Sequence, residues 1–172
     1  MQTEKPDPAT DPGRGRRLGL DVGTVRIGVA ISDPDCILAT PVETVQATAD
    51  DADVQRVAEI CRENFVVEIV VGLPVALRGN HTQSTLNAEE FARLVKEELP
   101  DIPLRMVDER MSTMAATQAF HASGVNSKKG RKKIDQAAAV HILQGWLAAC
   151  LTTPAEYVLL RPGRSSFCLF YY

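Results

Sequence analysis

A chain of 172 residues with 45% hydrophobic and 24% charged side chains can build the core of one ordinary domain and is too short for two full ones. That composition excludes wholesale disorder, collagen and coiled coil as the main architecture. A net charge of −3 excludes a uniformly basic nucleic-acid coat, so any contact with a polyanion must come from a local patch.

Residues 1 to 15 are polar and proline-bearing and read as a disordered N-terminal arm. The pattern then changes. RLGLDVGTVRIGVAISD contains two short apolar strands, 17–22 and 26–32, joined by a glycine-containing turn. A third β run follows in CILATPVETV, where Pro41 points to an edge position. Val54, Val57, Ala58 and Cys61 then recur at helical spacing. FVVEIVVGLP is nearly continuous and apolar, as expected of a strand covered on both faces. Asn87, Phe91, Leu94, Val95 and Glu98 line one side of a helix that Pro100 stops. Residues 102–107 form a fifth strand, and MSTMAATQAFHASG a helix closed by Gly124. A basic stretch precedes a last helix, IDQAAAVHILQGWLAAC. Residues 152–172 form a C-terminal tail that receives no assignment. Three strands followed by strand–helix units describe an α/β fold, a mixed five-stranded sheet with helices on both faces.

Three places put acids where apolar residues belong. Asp21 interrupts LGLDVG at the end of the first strand. A carboxylate there needs a partner, a hydrogen bond or a metal, although Asp also suits the turn that follows. Asp108 and Glu109 follow the apolar run PLRMV. Strand neighbours point to opposite faces, so only one of the two shares the side of Asp21. The plainer alternative is that Ser112 or Asp108 caps the next helix while Glu109 pairs with Arg110. Asp135 falls in the expected first turn of the last helix, where the macrodipole favours acids. It also lies on a line with Ala138, Ala139, Ile142 and Trp146, an apolar stripe that should face the sheet. Ala137, Ala138 and Ala139 would let that helix come close.

These acids sit at strand ends and a helix start, which cluster at one edge of a parallel-rich sheet. Carboxylates gathered there repel one another unless a cation lies among them, and hard oxygen donors select Mg²⁺ or Mn²⁺. Two such ions, about 4 Å apart, suit phosphodiester hydrolysis. SKKGRKK adds Lys128, Lys129, Arg131, Lys132 and Lys133 ahead of the last helix. Cations oppose the dipole of a helix start, whereas a phosphate backbone would gain from both; a solvated loop is the alternative. Nothing in the stretch reads base edges. GLPVALRGN is a glycine- and proline-bounded loop beyond a strand end, equally suited to a turn or a substrate contact. His81, His121 and His141 lack ligand spacing, and His141, Trp146, Met111 and Met114 read as core. Aromatic residues at 5% supply no stacking platform.

Cys36, Cys61, Cys150 and Cys168 form no C-x-x-C pair and read as buried or incidental thiols in a reducing compartment. The N-terminus lacks the apolar segment of a secretory signal, and no apolar run approaches the roughly 18 residues of a membrane span. The expectation is a soluble cytoplasmic protein.

GLDVGTVRIGVAISD, VVGLPVALRG, VDERMST and KKIDQAAAVHIL stand in the order and spacing of the YqgF/RuvX family. Each motif is weak alone; the ordered set, over residues 17 to 151, is specific. The resemblance implies a ribonuclease H-like fold related to the RuvC resolvases, and a nuclease acting on pre-16S rRNA or on Holliday junctions. It implies Asp21, an acid of DER and Asp135 as the catalytic and metal-holding set. Comparison with RuvC-type sites favours Glu109, with Asp108 as the alternative. Many relatives carry a basic residue at the position of Val25; here Arg26 is the one left in that turn. Arg26, Arg110 and the basic residues 128–133 would then hold the nucleic-acid backbone.

The leading expectation is a Mg²⁺- or Mn²⁺-dependent nuclease trimming the 5′ end of pre-16S rRNA during ribosome assembly. The second is a resolvase of four-way DNA junctions, which favours a homodimer where RNA trimming needs only a monomer. A non-catalytic RNA-binding assembly factor is a third. An ATP-binding kinase or chaperone-like ATPase shares the D-x-G-T at Asp21 but needs two lobes, for which this chain is too short.

Overall fold

The computed structural model describes residues 3–74, 83–108 and 128–152. Strands β1 (Arg16–Val22), β2 (Arg26–Ser32) and β3 (Ala39–Gln46) form an antiparallel meander. Strands β4 (Val66–Leu73) and β5 (Leu104–Asp108) add to β1 in parallel, giving the order β3-β2-β1-β4-β5. Pro41 lies on β3, an edge strand, where its missing N–H costs no ladder bond between interior strands. The parallel pairings set the carboxyl ends of β1, β4 and β5 at one edge of the sheet.

Helices α1 (Ala52–Glu63) and α2 (Gln83–Glu98) cover one face. Val54, Val57, Ala58 and Cys61 of α1 and Phe91, Ala92 and Val95 of α2 pack there on Leu18, Leu20, Val22, Ile69, Val71 and Met106. Burial pushes the Cys61 thiol up to about 12, which makes it an inert core residue. Helix α3 (Lys128–Thr152) covers the other face, where Ala139, Ile142, Leu143, Trp146 and Leu147 meet Ala30, Val70 and Val107. The two sides of β1 thus alternate: Leu18, Leu20 and Val22 belong to the α1/α2 side, and Arg17, Gly19 and Asp21 to the α3 side.

Two expectations change. The last helix begins at Lys128, so its backbone takes in the basic stretch that was expected to precede it. Lys and Arg are good helix formers, and one interior glycine, Gly130, does not break the run. Asp135 consequently lies about two turns inside the helix, not in its first turn. Residues 3–15, expected to be a disordered arm, lie against the sheet. The Glu4 N–H donates to Met106 O at 2.7 Å, Arg105 pairs with Glu4 at 2.7 Å, and Arg17 pairs with Asp11 at 2.9 Å. The segment has little apolar material to bury; charge partners distant in sequence hold it. The loop 75–82, the helix expected over 111–124 and the tail 153–172 lie outside the described residues.

Candidate active site

Asp21 occupies the carboxyl end of β1 directly across from Gly28 of β2. It is half-buried on the α3 side, in a strand whose other residues are apolar or glycine from Leu18 onward. Gly28 decides what lies above it. A Cβ there would come within 2.1 Å of the Asp135 carbonyl oxygen, so only glycine lets α3 settle this low. One turn further along the helix, a Cβ on Gly19 would meet the Ala139 carbonyl oxygen at 3.0 Å and the Leu143 Cβ at 2.6 Å. Two strand glycines therefore hold α3 close to the sheet, and that approach brings Asp135 beside Asp21.

The electrostatics record the meeting. Burial, and next to it the charge of Asp135, push the Asp21 carboxyl up to about 6. Two like charges in a partly dry site resist full ionisation, as the acid pattern in the sequence led us to expect. Among the described residues one cation meets the pair. Arg26 Nε, at the start of β2, lies 2.8 Å from Asp135 Oδ2, with the two side chains 23% and 24% exposed. The contact falls outside hydrogen-bond geometry. Both atoms are shielded from water, and neither has a hydrogen-bond partner among the described residues. Elsewhere in proteins buried polar atoms are nearly always satisfied, so this pair stands out.

The donor set suits a divalent ion. Two carboxylates on adjacent elements, one with an unsatisfied oxygen and one that is hard to ionise, match the hard oxygen donors that Mg²⁺ and Mn²⁺ take. Among the described residues no cluster of three or more such ligands forms, and Glu109 lies outside them. Asp108 ends β5, opposite Leu73 of β4. It has the parity of Leu104 and Met106, which pack on the α1/α2 side, while Val107 packs under α3. Arg110 is outside the described residues, as are the side chains of Lys128, Lys129, Arg131, Lys132 and Lys133, whose backbones belong to α3. His141 is half-buried on α3, and no helix among the described residues is long and apolar enough to cross a membrane.

The sequence reading missed Gly28 and Gly19 as positioning residues. Their signal was available: glycine inside an apolar strand often marks a close backbone approach. It also missed the contact between Arg26 and Asp135, which no local pattern announces.

Comparison with known proteins gives the family and the fold. A protein from Corynebacterium jeikeium (strain K411) is 96% identical over 147 residues, covering 86% of this chain and 95% of the relative. One from Nocardia farcinica (strain IFM 10152) is 55% identical over 152 residues, covering 85% and 84%. Both are provisionally named pre-16S rRNA nucleases. The solved structure of T. thermophilus RuvC in complex with Holliday junction substrate matches with a TM-score of 0.56 at 17% identity, covering 81% of this chain and 97% of that one. At that identity the likeness is one of fold, and it is ribonuclease H-like. The family model described as RuvX, Holliday junction resolvase, matches residues 15–149, from the approach to β1 to the last turn of α3, and the chain belongs to that family.

Proposed function

We propose that this protein is a divalent-cation-dependent nuclease that processes the 5′ end of pre-16S rRNA in the cytoplasm. The observation that carries the reading is the junction of Asp21 and Asp135 at the carboxyl edge of the sheet, two coupled carboxylates beside one arginine that makes a charge contact but no hydrogen bond. A structural role would pair these acids; a site that must accept a cation leaves them short. The names of the relatives from C. jeikeium and N. farcinica support the choice of rRNA.

Mg²⁺ or Mn²⁺, one ion or two, would supply the activation of a water molecule and the neutralisation of charge building on the phosphate. Asp21 and Asp135 would hold it from β1 and α3. Asp108 shares the parity of Leu104 and Met106, which pack on the α1/α2 side away from Asp21, and this supports Glu109 over Asp108 as the third carboxylate. Arg26, Arg110 and the basic residues at the start of α3 would hold the phosphodiester backbone. The helix dipole adds to that attraction, and none of these contacts depends on base identity. The carboxylates orient, the cations bind, and no enzyme side chain needs to form a covalent bond to the substrate.

The family description supports a second reading, cleavage of four-way DNA junctions by a homodimer. One assay separates them. Wild type and Asp21→Asn each meet a 16S 5′-leader RNA and a four-way DNA junction in Mn²⁺. Cutting of the RNA alone, lost in the variant, supports rRNA processing. Paired cuts in the junction alone support the resolvase. Cutting of neither by folded wild type points to a non-catalytic assembly factor.

A further inference from the structure

We propose that Arg26 is an internal counter-ion that occupies Asp135 until a divalent cation arrives, and that the cation then releases it to the nucleic-acid backbone, coupling the two binding steps. The inference rests on the reading of Asp21 and Asp135 as cation-holding residues.

The backbone of Arg26 is held on both sides. The Gly23 N–H donates to Arg26 O at 2.9 Å and closes the β1–β2 turn. Across the sheet, Arg26 is in register with Gln46 of β3, and the Ala47 N–H donates to the neighbouring Val25 O at 3.0 Å. Only the side chain is therefore able to relocate. Its attachment to Asp135 is a charge contact without hydrogen-bond geometry, and it leaves both facing atoms unsatisfied. A second arginine in the same molecule shows what a permanent pair looks like. Arg17 is fully buried, its Nε donates to Glu68 Oε2 at 2.7 Å, and its other nitrogens are taken by Asp11, Gly13 O and Cys36.

The exchange follows from charge. Asp21 and Asp135 together present two carboxylates, and among the described residues one guanidinium faces them, which leaves an excess of negative charge. A divalent ion outcompetes a monovalent cation for the same oxygens. The displaced guanidinium sits at the mouth of the site, in a turn whose tip, Val25, is 62% exposed. A planar fork of donors there matches a phosphate well. By linkage, whatever the cation does for Arg26 and the polyanion, the polyanion does in return for the cation.

The test uses the full chain and Mn²⁺ alone, titrated calorimetrically into wild type, Arg26→Gln, Arg26→Lys and Asp135→Asn, with thermal melting as the folding control. Removing the competing charge should tighten Mn²⁺ binding in Arg26→Gln by about three- to tenfold, the range for a partly exposed ion pair and a modest coupling. Arg26→Lys, which keeps the cation, should stay within about twofold of wild type. In parallel, the affinity for a labelled 5′-leader RNA is measured without divalent ion and in Ca²⁺. The gain on adding Ca²⁺ should be about fivefold in wild type and absent in Arg26→Gln. Unchanged or weaker Mn²⁺ binding in folded Arg26→Gln, with Asp135→Asn abolishing it, overturns this inference and leaves the proposed site standing. An undiminished Ca²⁺-dependent gain in Arg26→Gln overturns the release step. Failure of wild type to bind Mn²⁺ at all overturns both.

Discussion

The α3 side of the sheet has two charged ends, and they are built on opposite terms. At the amino ends of β1, β4 and β5, Glu68 is buried. It accepts from Arg17 Nε at 2.7 Å, Arg105 Nε at 3.3 Å and Trp146 Nε1 at 3.0 Å. Arg17 and Arg105 go on to Asp11, Glu4 and the Thr10 carbonyl, so the network ties residues 3–15 to the core. Two arginines meet three carboxylates, and each side chain has a hydrogen-bonded partner. At the carboxyl ends, Arg26 meets Asp135 without satisfying it, and Asp21 faces the charge of Asp135. The same face of the same sheet thus carries a closed ionic network where it needs rigidity and an open one where a ligand is to enter. Buried charge alone does not mark a functional site; buried charge left short of partners does.

The comparison breaks most sharply at Asp21. Asp21→Asn removes one of the two carboxylates and should lower cleavage by about 10³-fold or more, with the fold retained. Single-turnover cleavage beside a circular dichroism spectrum checks it. At the other end the effect should fall on stability instead. Arg17→Met removes the guanidinium of Asp11 and leaves buried Glu68 to Arg105 and Trp146 alone, and should cost about 3 kcal/mol in denaturant unfolding. Activity per folded molecule should change little.

A third variant joins the two ends of the argument. Gly28→Ala drives a methyl group into the Asp135 carbonyl and should lift α3 locally, costing about 3 kcal/mol and weakening Mn²⁺ binding roughly tenfold. Melting and calorimetry read both effects. A pH profile comes next. Asp21 has a folded value of about 6, well above the ordinary carboxylate range. As pH rises between those two values the unfolded chain releases its proton first, so the stability of metal-free protein falls through that window. The contribution is on the order of 3 kcal/mol and should vanish in Asp21→Asn, as the difference between the two urea midpoints across pH 4 to 7 will show. Smallest is Arg93→Ala on α2, which breaks exposed pairs with Glu90 and Glu97 and should leave the melting midpoint unchanged.

Much of this was readable in the chain. Alternating and continuous apolar runs carry the succession of strands along the chain and the doubly covered character of β4, because burial on both faces leaves a composition that a one-sided strand lacks. Asp21 was visible because a carboxylate in an apolar strand is costly. Glu68 in FVVEIVVGLP has the same signature and went unread, although it anchors the closed network. What separates the two acids is not local: Glu68 meets Arg17 and Arg105 in space, while Asp21 meets another acid. The position of α3 was hidden for a related reason, since it depends on Gly19 and Gly28, two glycines of the first strands, against a helix more than 100 residues later. Residues 3–15 looked disordered because their partners, Met106 and Arg105 among them, are as distant.

The measurement that tests the central claim most directly is the unfolding free energy of wild type and Asp21→Asn at pH 8, with and without Mn²⁺. A site held short of positive charge predicts that Asp21→Asn is the more stable protein without the ion. Adding Mn²⁺ should then stabilise wild type alone and reverse the order, because only the folded wild type binds it. If Asp21→Asn is the less stable protein without the ion, or if Mn²⁺ stabilises both equally, the open end of the sheet is not a cation site.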